Sequence, residues 1–345
     1  MHALVTGGGG FLGRYICEQL IARGDRVRSF GRGVYPELES MGVEVVRGDI
    51  TDAAAISGAC EGIECVFHVA ARPGVSVQPK PYYQINTQGT QHVIDACQAK
   101  RVPRLVYTSS PSVTFMFEDQ CGVDELDPRH LHREPHNMDV LGDHRAHYSR
   151  SKLHAEEKVL DANGRDGLAT CALRPHLIWG PRDQHLIPRL LERAKSGRLR
   201  RVGDGSNLVD IIYVENAATA HLQVADALSG ENSRVAGNAY FLSQGEPVNC
   251  WQWIDEILAL ADLPPVEKSI SYMGAFGIGS VLELVYRLLL RQDEPPMTRF
   301  VAAQLAMSHW FDISAARRDF GYEPQVSTAE GMRRLGEWLR SDHAG

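Results

Sequence analysis

"TGGGGFLG", Thr6 to Gly13, follows a short apolar strand, "HALVTG", and opens a segment of helical spacing, Phe11 to Arg23, that stops at Gly24. Gly7, Gly10 and Gly13 stand in the pattern G-x-x-G-x-x-G. A tight turn needs positive φ, and a pyrophosphate needs backbone at close range. The helix that follows offers free N–H groups and the positive end of its dipole. Glycines alone are a weak signal, but a strand before and a helix after are the context a dinucleotide-binding unit requires. The stretch therefore predicts that Gly7, Gly10, Phe11, Leu12 and Gly13 cradle a dinucleotide, against the alternative of a glycine-rich turn without a ligand.

Outward from that turn the rhythm continues. "RVRSF", "VEVVRGD", "ECVFHVAA" and "RLVYTSS" read as strands, and "TQGTQHVIDACQAK" as a helix between the last two. Strands alternating with helices predict an α/β fold, a doubly wound Rossmann parallel sheet covered on both faces. Two regions break the pattern. Phe115 to His147 is long, polar and rich in His and Asp, and reads as a loop. From about Asn249, helical patterns with Pro-rich breaks ("LPPVE", "DEPPM") predict a smaller, mostly helical C-terminal substrate lobe. "LVDIIYVENAATAHLQVADAL" reads as a strand and helix returning to the first lobe. The expected division is residues 1–175 with 209–243 for the dinucleotide-binding domain, and 176–208 with 244–345 for the substrate lobe.

The second strand ends in "VRSFGRG", Val27 to Gly33, where an NAD-binding fold carries an acid for the ribose hydroxyls. Gly31 stands there instead, followed by Arg32, whose guanidinium suits a 2′-phosphate. This pair predicts NADPH/NADP+ as cofactor, with a solvated loop arginine as the bland reading. "RGDITD" adds Asp49, placed for an adenine amine or serving as a turn aspartate, and Ile50 beside it.

"YSRSK" sets Tyr148 and Lys152 four apart, on one helical face. The strand before it ends in "YTSSPSV", with Ser109 and Ser110. Reduction of a carbonyl needs a proton donor, and a tyrosine at its ordinary pKa of ~10 exchanges protons poorly near neutral pH. A neighbouring ammonium stabilises the tyrosinate, and a serine hydroxyl holds the substrate oxygen.

At these residues the chain resembles the extended short-chain dehydrogenases/reductases. "TGGGGFLG", "GDITD", "HVAA", "NTQGT", "YTSSPSV", "YSRSK" and "LRPHLIWGP" fall in the family's order, and "YTSSPSV" favours the 3β-hydroxysteroid dehydrogenase-like branch. The resemblance implies Ser110, Tyr148 and Lys152 as catalytic residues. It implies Ala70, Ala71, Asn86, Thr108, Pro175 and Ile178 along the cofactor, beside the glycine turn. Within the branch, "YPEL", "LRPHLIWGPRDQHLIPRL", "VGDGSN" and "EPPMTRF" are similar to reductases of lipid-like 2-alkyl-3-keto acids in bacterial olefin biosynthesis. That similarity implies NADPH-dependent reduction to a 3-hydroxy acid, assembly with β-lactone-forming enzymes, and a homodimer. The substrate carboxylate would welcome a cation, and Arg182 and His176 are candidates, each also readable as a surface or capping residue. The long Phe115–His147 segment departs most from the family. A 3β-hydroxysteroid or sterol dehydrogenase, a nucleotide-sugar epimerase or dehydratase, and a non-catalytic NADPH-sensing subunit stay open as alternatives.

The whole chain narrows the classes. Its 345 residues carry a net charge of -7 and no basic block, which argues against nucleic acid as partner. The seven cysteines are scattered without a CxxC pair and read as reduced thiols of a cytoplasmic protein, Cys97 and Cys171 among them as buried small hydrophobes. "MHALVTGGGGFLG" lacks the pattern of a signal peptide. "YMGAFGIGSVLELVYRLLL", Tyr272 to Leu290, is interrupted by Glu283 and Arg287. It reads as an amphipathic helix over the core or the substrate pocket, or as a peripheral membrane-surface helix. His130, His132, His136, His144 and His147 crowd the long loop; a solvated loop is expected there, and no metal.

Overall fold

The computed structural model describes residues 1–127, 147–230 and 233–341. The chain begins with β1 (His2–Thr6), α1 (Phe11–Ala22), β2 (Arg26–Gly31), α2 (Pro36–Ser40), β3 (Glu44–Arg47), α3 (Ala53–Ala59), β4 (Cys65–His68), α4 (Lys80–Tyr82), α5 (Gly89–Lys100) and β5 (Arg104–Thr108). There follow β6 (Gln120–Val123), α6 (His147–Asp161), β7 (Ala169–Pro175), β8 (Ile178–Trp179), α7 (Leu186–Lys195), β9 (Arg201–Val202), β10 (Leu208–Val209), β11 (Ile212–Tyr213), α8 (Val214–Ala227) and β12 (Ala239–Leu242). The remainder is β13 (Val248–Asn249), α9 (Cys250–Leu260), β14 (Ser269–Ile270), α10 (Tyr272–Leu288), α11 (Arg299–Ala306), β15 (His309–Phe311), α12 (Ser314–Phe320) and α13 (Thr328–Arg340).

The central sheet has seven strands in the order β12-β7-β5-β4-β1-β2-β3, and every pairing in it is parallel. The order turns outward on either side of β1 and β4, the arrangement whose C-terminal strand edge opens a ligand crevice. The strands are apolar runs because both faces are covered, and their twofold period divides each strand between two cores. Leu4, Val66, Leu105 and Ala172 join one cluster with α3, α5 and α6 residues such as Ile56, Val93 and Val159. Ala3, Val5, Phe67, Val106 and Leu173 join the other, with Ile16 and Leu20 of α1 and Ala217 and Val224 of α8. Burying each such aliphatic or aromatic side chain is worth about 1.5–3 kcal/mol. Local signals set the element ends. Asp52 caps α3 by accepting from the N–H groups of Ala54 and Ala55. α5 stops at Arg101, which adopts the left-handed conformation.

A third core draws on Trp179, Ile187 and Val202, on Val209, Ile211 and Tyr213, and on Trp251, Trp253, Ile254 and Leu335. Helices α7, α9 and α13 surround it. On α10, Ala275, Gly279, Glu283 and Tyr286 are buried, whereas Met273, Ile278, Val281, Leu284, Val285 and Leu288 face outward and are exposed.

Three details differ from the pattern reading. The Phe115–His147 segment is not loop throughout: β6 lies in it, because β15, far along the chain, offers it a parallel partner. Its histidines at 130, 132, 136 and 144 lie outside the described residues. In the returning segment, α8 does pack on α1, but β11 pairs with β8 outside the main sheet. The strand that closes the sheet's edge is β12. Finally, the helix predicted from Thr87 grows out of a π-helical turn, Tyr83–Gln88. Such turns widen the helix and recur at functional sites.

Candidate functional site

The turn after β1 is drawn tight by two backbone bonds, Gly7 N–H to the Phe30 carbonyl at 2.8 Å and Gly10 N–H to the Gly7 carbonyl at 2.9 Å. Gly7 has φ +72°, and a Cβ there would lie 3.0 Å from the Ala70 backbone. A Cβ on Gly13 would fall 2.2 Å from the Gly7 carbonyl oxygen. Both positions therefore demand glycine, and α1 begins hard against the turn with no side chain capping its N-terminus. This cradle fits a pyrophosphate. Leu12 sends its side chain into the core, so only its backbone stays at the turn, and Phe11 leans on Tyr15.

Beside the cradle, Gly31 ends β2 and Arg32 follows with its side chain 75% exposed, 3.9 Å from the Asp49 carboxylate. Asp49 accepts from the Thr51 N–H and hydroxyl, and these bonds hold its carboxyl below the usual range. Ile50 is buried next to Gly89. Pattern reading passed over Tyr35. Its ring lies across the turn, so close that a Cβ on Gly9 would fall 2.1 Å from it and one on Gly33 2.6 Å.

The C-terminal end of β4 is pinned by His68. Its Nδ1 pairs with the Thr6 hydroxyl at 2.7 Å and its Nε2 with the Thr90 hydroxyl at 2.9 Å. Burial pushes this imidazole down to about 3, so it is neutral. Ala70 and Ala71 follow, with the Ala70 N–H bonded to Thr6 Oγ1. Asn86, on the π-turn, accepts from the Arg72 N–H at 2.7 Å and donates to the Arg72 carbonyl at 3.2 Å and to the Ser151 hydroxyl at 2.9 Å. Its amide is thus used in joining the β4 loop to α6, and it acts on the site through the backbone it holds.

Tyr148 and Lys152 sit on one face of α6, Tyr148 partly buried and Lys152 buried. The Lys152 Nζ donates to the Thr108 carbonyl at the end of β5, 2.6 Å away, and lies 4.2 Å from the centre of the Tyr107 ring. Burial lowers this ammonium to about 7, with Glu156 opposing. Thr108 is itself tied to His221 through its hydroxyl at 2.8 Å. Burial raises the Tyr148 phenol, and the Ser110 hydroxyl facing it pulls it back down. Ser110 also caps the short turn Pro111–Thr114 by accepting from the Ser112 N–H. The ring of Tyr82 meets the Tyr148 ring edge-on, centroids 6.4 Å apart. A pocket opens at Tyr148 between residues 74–77, residues 147–149, and Glu283, Thr298 and Phe300. Pro175 closes β7 and Ile178 opens β8 at the same edge of the sheet.

Ser110, Tyr148, Lys152 and Thr108 are therefore brought together. Arg182 and His176 are not free to join them. The Arg182 guanidinium is bound to Glu18 on α1, at 2.8 Å through Nη2, and stacks on Tyr15. His176 is buried against His309, Nε2 to Nδ1 at 2.6 Å, and burial holds its imidazole neutral. A buried neutral ring and an arginine already paired are poor carboxylate ligands.

With this geometry in place, the chain is similar to known proteins over nearly its whole length. The family model for the 3-beta hydroxysteroid dehydrogenase/isomerase family matches residues 4–269. A 2-alkyl-3-oxoalkanoate reductase of Stenotrophomonas maltophilia (strain K279a) is 47% identical, covering 97% of this chain and 98% of that one. A decarboxylating sterol-4-alpha-carboxylate 3-dehydrogenase of Mus musculus is 32% identical, over 96% of this chain and 88% of that one. Among solved structures, MoeE5 in complex with UDP-glucose and NAD superimposes with a TM-score of 0.74 at 24% identity, covering 99% of both chains. The chain belongs to the 3-beta hydroxysteroid dehydrogenase/isomerase family, an oxidoreductase of the extended short-chain dehydrogenase/reductase type.

Proposed function

We propose that the chain is an NADPH-dependent reductase that converts the 3-keto group of a 2-alkyl-3-oxoalkanoate, a long-chain β-keto acid, to the 3-hydroxy acid in olefin biosynthesis. The observation that carries the reading is the buried Lys152 ammonium, held at the end of β5 one helical turn after Tyr148. It stands together with the 47% identity to a reductase of that name. The dinucleotide, when bound, supplies the hydride. The residues of the chain do the rest. Gly7, Gly10 and Gly13 hold the pyrophosphate. Ser110 orients the carbonyl oxygen by hydrogen bonding as charge develops on it. Tyr148 holds the proton at its Oη and gives it to that oxygen. Lys152 stabilises the tyrosinate left behind, and its depressed pKa suits it to relaying a proton near neutral pH. Gly31 with Arg32 supports NADPH over NADH, and the Tyr35 ring over Gly9 and Gly33 supplies a wall for the same ribose. We read residues 1–175 with 209–243 as the dinucleotide-binding part and 176–208 with 244–345 as the substrate lobe.

The two relatives share more than a ketone. Both names place a carboxylate on the carbon next to the oxygen-bearing one. The higher identity favours the open-chain acid over the sterol. The decisive experiment follows nicotinamide absorbance with a 2-alkyl-3-keto acid, NADPH and NADH side by side. NADPH-dependent turnover is expected. Turnover of a sterol carboxylate alone, with NAD+, would replace this reading.

Among the described residues no helix is long and apolar enough to cross a membrane. The exposed apolar face of α10 supports a peripheral lipid contact by a cytoplasmic enzyme. The packed pair α5 and α6 supports a homodimer through its outer side, and the product supports assembly with β-lactone-forming enzymes. Light scattering and co-purification test these two.

A further inference from the structure

We propose that Arg72 is the residue that holds the substrate carboxylate; this rests on the keto-acid reading above. An acid one carbon from the reacting carbonyl has to find a cation within reach of Tyr148, and a guanidinium binds a carboxylate through two parallel N–H bonds. Several other cations near the pocket are engaged. Arg299, beside the pocket wall, gives its guanidinium to Glu283 at 2.7 Å. Arg189 pairs with Glu294 at 3.0 Å, and Arg182 with Glu18. Lys152 is turned to the Thr108 carbonyl.

Arg72 differs in each respect. Its Nε is buried without a hydrogen-bond partner among the described residues. Its guanidinium lies over the ring of Tyr82, 5.6 Å from the centroid, and that ring abuts Tyr148. Its backbone is fixed at both N–H and C=O by Asn86, which also grips Ser151 on the helix of Tyr148 and Lys152. The loop it begins continues into Gly74–Val77, one wall of the pocket at Tyr148. A cation whose main chain is locked to the catalytic helix, whose side chain rests on an aromatic platform and whose buried donor has no partner among the described residues is preorganised for an anion. With the carboxylate held there, the carbonyl one carbon away is presented to Ser110 and Tyr148 in one orientation. Arg72 thereby sets specificity for acids over neutral ketones.

β-Keto acids lose CO2 on standing, so the test runs the reaction backwards on the stable 3-hydroxy acid with NADP+. The 2-alkyl-3-hydroxy acid is compared with its methyl ester in wild type, Arg72→Met and Arg72→Lys, and NADPH affinity is measured separately by fluorescence. Arg72→Met is expected to lower kcat/KM for the acid about tenfold to a hundredfold, mostly through KM, and to leave the ester nearly unchanged. Arg72→Lys should recover part of the loss, and NADPH affinity should stay within about threefold. Equal losses for acid and ester would overturn the assignment, as would a loss explained by weaker NADPH binding, which would give Arg72 to the cofactor phosphates. If wild type turns over the acid and Arg72→Met does so equally, the Arg72 assignment alone falls. If wild type turns over only neutral or sterol alcohols, the keto-acid reading falls with it.

Discussion

Lys152 and Arg32 are both cations at the C-terminal edge of one sheet, and they live in opposite surroundings. Lys152 is 2% exposed, bonded to a main-chain carbonyl and stacked against Tyr107. The side chain of Arg32 is 75% exposed, with the nearest carboxylate 3.9 Å away. Burial lowers the proton affinity of the first, while the second is open to solvent. At the Lys152 end burial costs stability and shifts proton affinity; at the Arg32 end the charge stays screened by water. Substitutions at the two ends should therefore fail in different ways and by different amounts.

The largest effect is expected at Tyr148. Tyr148→Phe should reduce turnover by about a thousandfold or more while NADPH affinity stays within a few-fold, read by single-turnover kinetics and fluorescence titration. Near-normal turnover would remove Tyr148 from the chemistry and collapse the contrast. Lys152→Met comes next. It should lower turnover by about a hundredfold, yet stabilise the cofactor-free protein by about 1–3 kcal/mol near neutral pH, because it deletes a buried charge. The sign of the pH dependence follows from the same burial. Between about pH 7 and the unfolded value near 10.5, the unfolded chain binds a proton that the native lysine does not. Wild-type stability should therefore gain a rising component across that window. The penalty is complete below pH 7 and gone above the unfolded value. In Lys152→Met the component should vanish, as urea melts at a series of pH values would report.

Smaller effects belong to the solvated end. Gly31→Asp should weaken NADPH binding about tenfold or more and improve NADH, since it restores an acid where a 2′-phosphate would lie. Arg32→Ala should cost about three- to tenfold in NADPH affinity, and that loss should shrink as salt rises. No salt dependence would mean Arg32 does not meet a phosphate. The smallest effect is expected on α10. Leu284→Glu with Leu288→Glu should reduce sedimentation with phospholipid vesicles several-fold and leave turnover of a short-chain keto acid unchanged.

The same contrast explains what the amino-acid sequence discloses. The β1–turn–α1 unit and the Tyr148/Lys152 pair are local: strand, glycine spacing and helical period all lie within a few residues. The parallel sheet follows from apolar runs alternating with helices. Pairing state is not local. Arg182 looked available because Glu18 stands 164 residues away, and His176 because His309 stands 133 away. Arg72 carries no periodic signal, and only the fold reveals that its guanidinium lies over the Tyr82 ring with its Nε unpartnered among the described residues. Tyr35 matters because its ring folds back over Gly9, a contact with no signature in spacing. β6 escaped notice for the same reason, since its partner β15 comes so much later.

The hydroxyl–imidazole pins at the strand ends have a consequence for how the sheet finds its alignment. In a half-exposed sheet, a slip of one residue turns apolar side chains to water, so polarity alone polices the pairing. Here both faces are oily. A slipped β4 would merely trade one core for the other, and hydrophobicity would hardly object. His68 objects: displaced by one residue, it would lose Thr6 and Thr90 together and leave a bare imidazole in a dry interior. Neutral down to about pH 3, it keeps that role across the whole range in which the protein works. Thr108 with His221 does the same at β5. These pairs act as keys in an otherwise featureless lock, seating the strands so that the glycine cradle and the buried lysine arrive at the same edge.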